Sequence, residues 1–134
     1  MADLIGIVIV AHGGLAAEYL SAIEHVVGEQ AGMHAIAIAP DDDRSLKQDE
    51  ICDAADSVDT GDGVVIVTDM FGGSPSNLSL RACRLQNRRI LYGANLPMLV
   101  KLAKSRNKTV IDAVNAALDA GRKYIDSHAV ELDT

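Results

Sequence analysis

The sequence predicts an α/β protein built on an open, mainly parallel four-stranded sheet with helices on both faces. Three observations predict it. Four short runs are apolar on consecutive residues, as strands covered on both faces require. Amphipathic stretches of helical period separate them, and glycine, proline and acidic residues punctuate the junctions. Strands alternating with helices pair in parallel through right-handed crossovers. A length of 134 residues suits one domain, 1–134, able to bury a core without disulfide or metal staples.

Taken in order, "LIGIVIVA" (4–11) is the first strand, rich in Ile and Val. A helix follows, with Leu15, Ala16, Tyr19, Leu20, Ile23, Val26 and Val27 on one stripe and Gly28 placed to end it. "MHAIAIA" (33–39) is the second strand and stops at Pro40. The acidic "DDDR" (41–44) then opens a helix whose apolar positions are Ile51, Ala54, Ala55 and Val58. "GVVIVTD" (63–69) is the third strand, leading through "MFGGSPSN" (70–77) into a helix that carries Leu78, Ala82 and Leu85. "RRILYGA" (88–94) is the fourth, and helical patterns follow near "PMLVKLAKS" (97–105) and "TVIDAVNAALDAGRKYI" (109–125).

Charge narrows the function classes. Lys and Arg number 12 against 19 Asp and Glu, for a formal net charge of −7 with no basic cluster, which argues against nucleic acid or anionic lipid as a partner. The same balance favours partners with basic or apolar contact surfaces. Apolar runs fall short of the ~20 residues a membrane span needs, and no basic stretch leads into a cleavage site. A soluble, cytoplasmic protein is expected. Cys52 and Cys83 lie in helical patterns without metal-ligand spacing and read as buried or half-buried thiols. No metal or cofactor is expected.

In an open α/β sheet, ligands collect beyond the carboxyl ends of the strands. His12 ends the first strand, Asp69 the third, and Asn95 follows the fourth, so three polar residues share one sheet edge. The loop "DMFGGSPSN" adds Gly72 and Gly73, which let a backbone come close. Ser74 before Pro75 reads as a helix N-cap, whose first-turn amides suit an anion. Asp69 alone would repel that anion and needs a hydrogen-bond donor beside it; His12 is the candidate. A histidine that accepts a phosphoryl group presents a lone pair on one ring nitrogen while the other carries the proton. A carboxylate accepting that N–H fixes the tautomer and stabilises charge as the bond to phosphorus forms. Taken singly, His12 reads as a hydrogen-bonded structural residue, Asp69 as an Asx-turn or cap and Ser74 as a cap. Together they read as a site. His25, His34 and His128 have no such company.

Three segments, "GIVIVAHGGLA" (6–16), "VIVTDMFGGSPSN" (65–77) and "YGANLPMLVKL" (92–102), in this order and spacing, resemble the enzyme IIA domain of the mannose-type (mannose, fructose, sorbose) phosphoenolpyruvate-dependent sugar phosphotransferase system (PTS). The resemblance covers nearly the whole chain. It implies that His12 is phosphorylated, at Nε2, with Nδ1 bonded to Asp69, and that Ser74 and the amides around Gly73 stabilise the phosphoryl group. It also implies a phosphotransferase component: the donor would be the histidine-containing phosphocarrier protein, charged from phosphoenolpyruvate by enzyme I, and the acceptor a IIB domain. In some relatives IIA and IIB are fused; here the chain ends soon after the last helix, so IIB is expected to be separate or absent. Family members dimerise by passing a C-terminal strand to the partner's sheet, which makes "HAVELD" (128–133) the candidate for a fifth strand of a homodimer. Phe71 stands where sugar-transporting relatives carry an indole, a position able to shape the partner surface. Gly13 and Gly14 would leave the imidazole uncovered.

Competing readings are a regulatory phosphohistidine module that reports phosphotransferase flux without a sugar permease, the phosphotransfer subunit of dihydroxyacetone kinase, and a nucleotide-binding domain. The first shares every residue of the site. The second would carry a hydroxyl residue directly after the histidine and no GGSP loop, whereas Gly13 and residues 72–75 stand here. The third lacks both G-x-G-x-x-G and the P-loop pattern.

Overall fold

The computed structural model describes residues 4–85 and 87–131. Four strands, β1 (Gly6–His12), β2 (Met33–Ile38), β3 (Val64–Thr68) and β4 (Arg88–Leu91), form one sheet in the order β2-β1-β3-β4, every pair parallel. The connecting helices are α1 (Leu15–Val27), α2 (Arg44–Val58), α3 (Ser74–Ser79) with a 3₁₀ turn at Leu80–Cys83, and α4 (Leu96–Lys104); α5 (Val110–Lys123) follows. The strand order reverses at β1, so β1 and β3 lie at the centre and their carboxyl ends open onto one crevice.

Strand alternation divides the core between two faces. Ile7, Ile9 and Ala11 of β1, with Val65 and Val67 of β3, pack against Ala16 and Ile23 of α1, Leu99 and Leu102 of α4 and Ala113 and Ala117 of α5. Val8 and Val10, with Val64 and Ile66, pack on the other face against Ile51, Ala55 and Val58 of α2 and Leu78 of α3. Because both faces are covered, the strands carry no polar alternation, which is why they read as continuous apolar runs.

The structure departs from the sequence expectation in three helices or their flanks. Leu15 and Val26, placed on the buried stripe of α1, are 44% and 53% exposed, because the strip covered by the sheet and α4 is narrower than the apolar stripe. The helix expected through Leu85 stops after six residues and tightens to 3₁₀; the Ser79 hydroxyl donates to the Pro75 carbonyl at 2.6 Å, a back-bond that competes with the helical ladder, and Leu85 is exposed. Residues 125–131 form no strand in this single chain and are exposed, while Leu132 and Asp133 of the "HAVELD" segment lie outside the described residues.

At the amino ends of the strands two buried arginines tie the sheet to its loops. Arg88, opening β4, bonds Asp56 at 2.8 Å, Asp59 at 3.0 Å and the Ala82 carbonyl at 3.1 Å. Arg106 donates to the carbonyls of Ile5, Ala31 and Gly32 and to the Gln30 side chain. None of the described helices is long and apolar enough to cross a membrane.

Candidate functional site

β1 is buried along its length until His12, whose side chain is 46% exposed at the carboxyl edge. Parallel pairing with β3 brings the segment just beyond that strand alongside, and Asp69 is its first residue. One carboxylate oxygen, Oδ2, accepts both the His12 backbone N–H at 3.1 Å and a bond from ring Nδ1 at 2.8 Å. Since an ionised carboxylate only accepts, Nδ1 is the ring nitrogen that carries the hydrogen, and the lone pair of the neutral imidazole sits on Nε2. The two bonds to a single oxygen fix both the main chain and the ring of His12. Asp69 is 10% exposed; burial pushes its carboxyl upward, but the bonds and charge of His12 outweigh this and hold it below the ordinary value of 3.8. Its other oxygen, Oδ1, is buried without a partner among the described residues.

Nε2 faces the loop after β3. A Cβ built on Gly73 would lie 3.1 Å from Cε1 of His12 and 3.5 Å from Nε2, so the glycine is the floor on which the free edge of the ring rests. Its backbone is ordinary (φ −85°, ψ 176°), and the requirement is space rather than conformation. Gly72 differs: φ is +84°, a left-handed turn that an L side chain resists.

Ser74 is not the N-cap that the sequence predicts. Gly73 occupies that position, and Ser74 is the first helical residue, with no capping bond. The serine that builds the turn is Ser76, whose hydroxyl accepts from Gly72 N at 3.0 Å and donates to Gly73 O at 2.9 Å. That substitution leaves the Ser74 hydroxyl exposed and uncommitted. It lines, with His12, Gly13, Pro40 and Leu78, an open cavity of about 740 Å³ between the β2–α2 loop and α3. At six residues, α3 offers the free amides of its first turn rather than the macrodipole of a long helix.

This is a strand-end imidazole, oriented by a half-buried carboxylate, with its free nitrogen against a glycine-lined turn. The sequence profile of EIIA-man, described as "PTS system fructose IIA component", matches residues 6–118. The chain belongs to this family. It is 30% identical over 124 residues to the PTS system mannose-specific EIIAB component of Escherichia coli (strain K12), an alignment covering 90% of this chain and 38% of that protein. The chain therefore spans about two fifths of the length of the mannose-specific relatives it matches. Against the PTS system sorbose-specific EIIA component of Lacticaseibacillus casei it is 29% identical over 130 residues, covering 96% of this chain and 94% of the relative. The fold superposes on the mannose/sorbose specific IIA subunit of Enterococcus faecalis with a TM-score of 0.83 at 22% identity, over 97% of this chain and 98% of that one. The chain is thus a IIA component of the mannose-type family.

Within this IIA chain, Asn95 does not join His12. It caps α4, its Oδ1 accepting from Met98 N at 3.0 Å, and its Nδ2 donates to the Gly121 carbonyl of α5 at 2.8 Å, so both ends of the amide are spent, one within α4 and one fastening it to α5. The signal for that role was already in "NLPM", an N-cap residue two places before proline. Gly13, at φ +55°, turns the chain away after His12, and nothing lies within 4 Å of where its Cβ, or that of Gly14, would stand. Phe71 is 76% exposed and packs edge-on to Tyr92, with ring centroids 4.9 Å apart; Met70 beside it is 53% exposed. Among the described residues no group of three or more His, Cys, Asp or Glu is placed to hold a metal.

Proposed function

We propose that this IIA chain is a reversible phosphoryl carrier in which Nε2 of His12 takes a phosphoryl group from the histidine-containing phosphocarrier protein and passes it to a IIB component. The observation that carries the reading is the 2.8 Å bond between His12 Nδ1 and Asp69, which leaves the Nε2 lone pair free on the open side of the ring. In the forward step that lone pair forms a bond to phosphorus as the donor's N–P bond breaks, and the donor ring keeps the released electron pair. The His12 ring becomes positive while its Nδ1–H stays in place. Asp69, held ionised by the same bonds, stabilises that charge without taking the proton. The Ser74 hydroxyl and the first-turn amides meet the phosphoryl oxygens. Positioning and electrostatics dominate such transfers, so these groups are enough machinery. The step reverses readily because a phosphoramidate-type N–P bond stands on both sides.

Exposed Met70 and Phe71 beside the histidine supply an apolar contact for whichever protein approaches, and the net charge of −7 suits partners with basic surfaces. Gly13 and Gly14 keep that approach open. The proposal extends to a homodimer through the C-terminal segment, supported by the exposure of Ile125 (73%) and Val130 (74%), and sedimentation shows whether the chain runs as two copies.

The test is incubation with enzyme I, the phosphocarrier protein and labelled phosphoenolpyruvate. An acid-labile label that His12→Ala loses is expected. Undiminished label in that variant removes His12 from the reaction.

A further inference from the structure

The cavity beside His12 has a second wall, formed by the β2–α2 loop, and that wall carries a side chain with no structural employment. The sequence "DDDR" (41–44) reads as a helix start, and two of its three acids, Asp42 and Asp43, have structural tasks. Asp43 is the N-cap of α2, its Oδ1 accepting from Leu46 N at 2.9 Å. Asp42 closes the preceding turn, its Oδ2 accepting from Ala39 N at 2.7 Å with Lys47 Nζ 3.7 Å away. Both acids are committed to backbone. Arg44 is not: it is exposed, lines the same cavity as His12 and Ser74, and takes part in none of the ion pairs among the described residues.

Its position is also locally unfavourable. Arg44 is the first residue of α2, where the positive end of the helix repels a cation and an acid would be the better choice. A residue that breaks a local rule without structural return points to a task elsewhere. Among the residues lining the cavity, Arg44 is the one permanent cation. The phosphoryl group that enters brings close to two negative charges, and a guanidinium presents a planar fork of donors matched to phosphate oxygens.

We infer that Arg44 binds the phosphoryl oxygens as the group is transferred to and from His12, opposite the Ser74 loop. The inference rests on His12 being the acceptor. Nε2 of His12 forms the new bond to phosphorus, the donor nitrogen departs with the electron pair of the broken bond, and Arg44 exchanges no proton in the step. It neutralises charge on the oxygens while they are between the two nitrogens.

A donor with no protein surface separates this role from docking. Wild type, Arg44→Ala, Arg44→Lys and His12→Ala are incubated with potassium phosphoramidate, whose ammonia leaving group takes its proton from water, and phosphohistidine formation is followed by phosphorus NMR and intact mass. Arg44→Ala is expected to react about tenfold more slowly, the lower end for a charge-assisted bond from an exposed side chain. Arg44→Lys should recover part of the rate, and raising salt should narrow the gap between wild type and Arg44→Ala. Thermal stability of Arg44→Ala should not fall, since the side chain holds nothing in the fold and stands against the positive end of α2. A wild-type rate for Arg44→Ala with phosphoramidate overturns the inference, including the case where transfer from the phosphocarrier protein is slowed and Arg44 only docks that protein. Wild type that gains no phosphate at His12 overturns the acceptor reading itself, a result distinct from a silent Arg44.

Discussion

The two ends of the same four strands are finished differently. At the amino end, Arg106 is 5% exposed and distributes its guanidinium over three backbone carbonyls and a glutamine oxygen. Arg88, 8% exposed, bonds two carboxylates and a carbonyl. At the carboxyl end, and among the described residues, His12 is nearly half exposed with one ring nitrogen free, Asp69 keeps a buried oxygen without a partner, and Ser74 makes no capping bond. Polar groups at one end are satisfied and hold the sheet together; at the other they are positioned but left with spare bonding capacity. An unsatisfied buried polar atom costs stability, so such capacity persists where another molecule uses it.

The largest effect that would break this contrast comes from Asp69→Asn. The amide oxygen can still accept from the His12 backbone N–H but cannot demand a hydrogen on Nδ1, and it offers no charge to the positive ring. Phosphorylation should slow on the order of 10² to 10⁴-fold, by analogy with other orienting carboxylates, while the fold persists. Stopped-flow quenching of the labelled protein measures it; unchanged kinetics would mean that the carboxylate does not hold the ring.

Next in size is the opposite edge. Arg106→Met removes the donors from the carbonyls of Ile5, Ala31 and Gly32 and should cost about 3 kcal/mol of stability, read from urea unfolding. Phosphorylation of the folded fraction should stay at the wild-type rate. A slowed transfer step with intact folding would show that the two edges are not separate.

Gly73→Ala makes a finer cut, because its backbone angles suit alanine and only the His12 ring stands in the way, at 3.1 Å. Pushing the imidazole aside by a few tenths of an ångström should slow transfer about tenfold, with unfolding unchanged to within roughly 0.5 kcal/mol. If stability fell and the rate did not, the glycine would be serving the turn and not the ring.

The smallest effect lies in acid. One carboxylate at each edge sits below its ordinary value of 3.8: Asp69, as above, and Asp59, where burial again opposes the shift but the Gly61 amide and Arg88 overcome it. A folded pKa below the unfolded one means that the unfolded chain binds more protons, so the stability these groups lend is complete above about pH 5 and is lost as pH falls through 3.8 and below. The urea midpoint should decline from pH 6 to pH 3, less steeply in Asp69→Asn and in Asp59→Asn. A midpoint flat over that range would show that neither acid is held down by its partners.

How much of this was legible in the sequence follows from which interactions are periodic. Strands buried on both faces announce themselves as Ile and Val runs, and α2 shows its buried face at Ile51, Ala54, Ala55 and Val58 despite a weakly amphipathic sequence. His12 and Asp69 fall on one edge in the sequence because each ends a strand and the strands of such a sheet run parallel. Interactions between residues distant in sequence were not legible. The pairing of Arg106 with Ile5 spans 101 positions, and the rest of the His12 ring on Gly73 exists only after β1 and β3 pair. A serine before proline satisfies the local rule for a cap at Ser74, yet Ser76 can reach the Gly72 amide and closes the turn one residue earlier. Arg44 vanished into an acidic helix start, since its freedom becomes visible only when Asp42 and Asp43 are seen spent on the backbone.

The central claim is that Nδ1 of His12 is committed to Asp69 and Nε2 receives the phosphoryl group. Nitrogen and phosphorus NMR of the histidine-labelled, phosphorylated protein tests it most directly, through one-bond coupling between the phosphorus and a ring nitrogen. Coupling to Nε2 of His12, with Nδ1 still protonated, is the predicted result. Phosphorus on Nδ1 of His12, or on His25, His34 or His128, would contradict it.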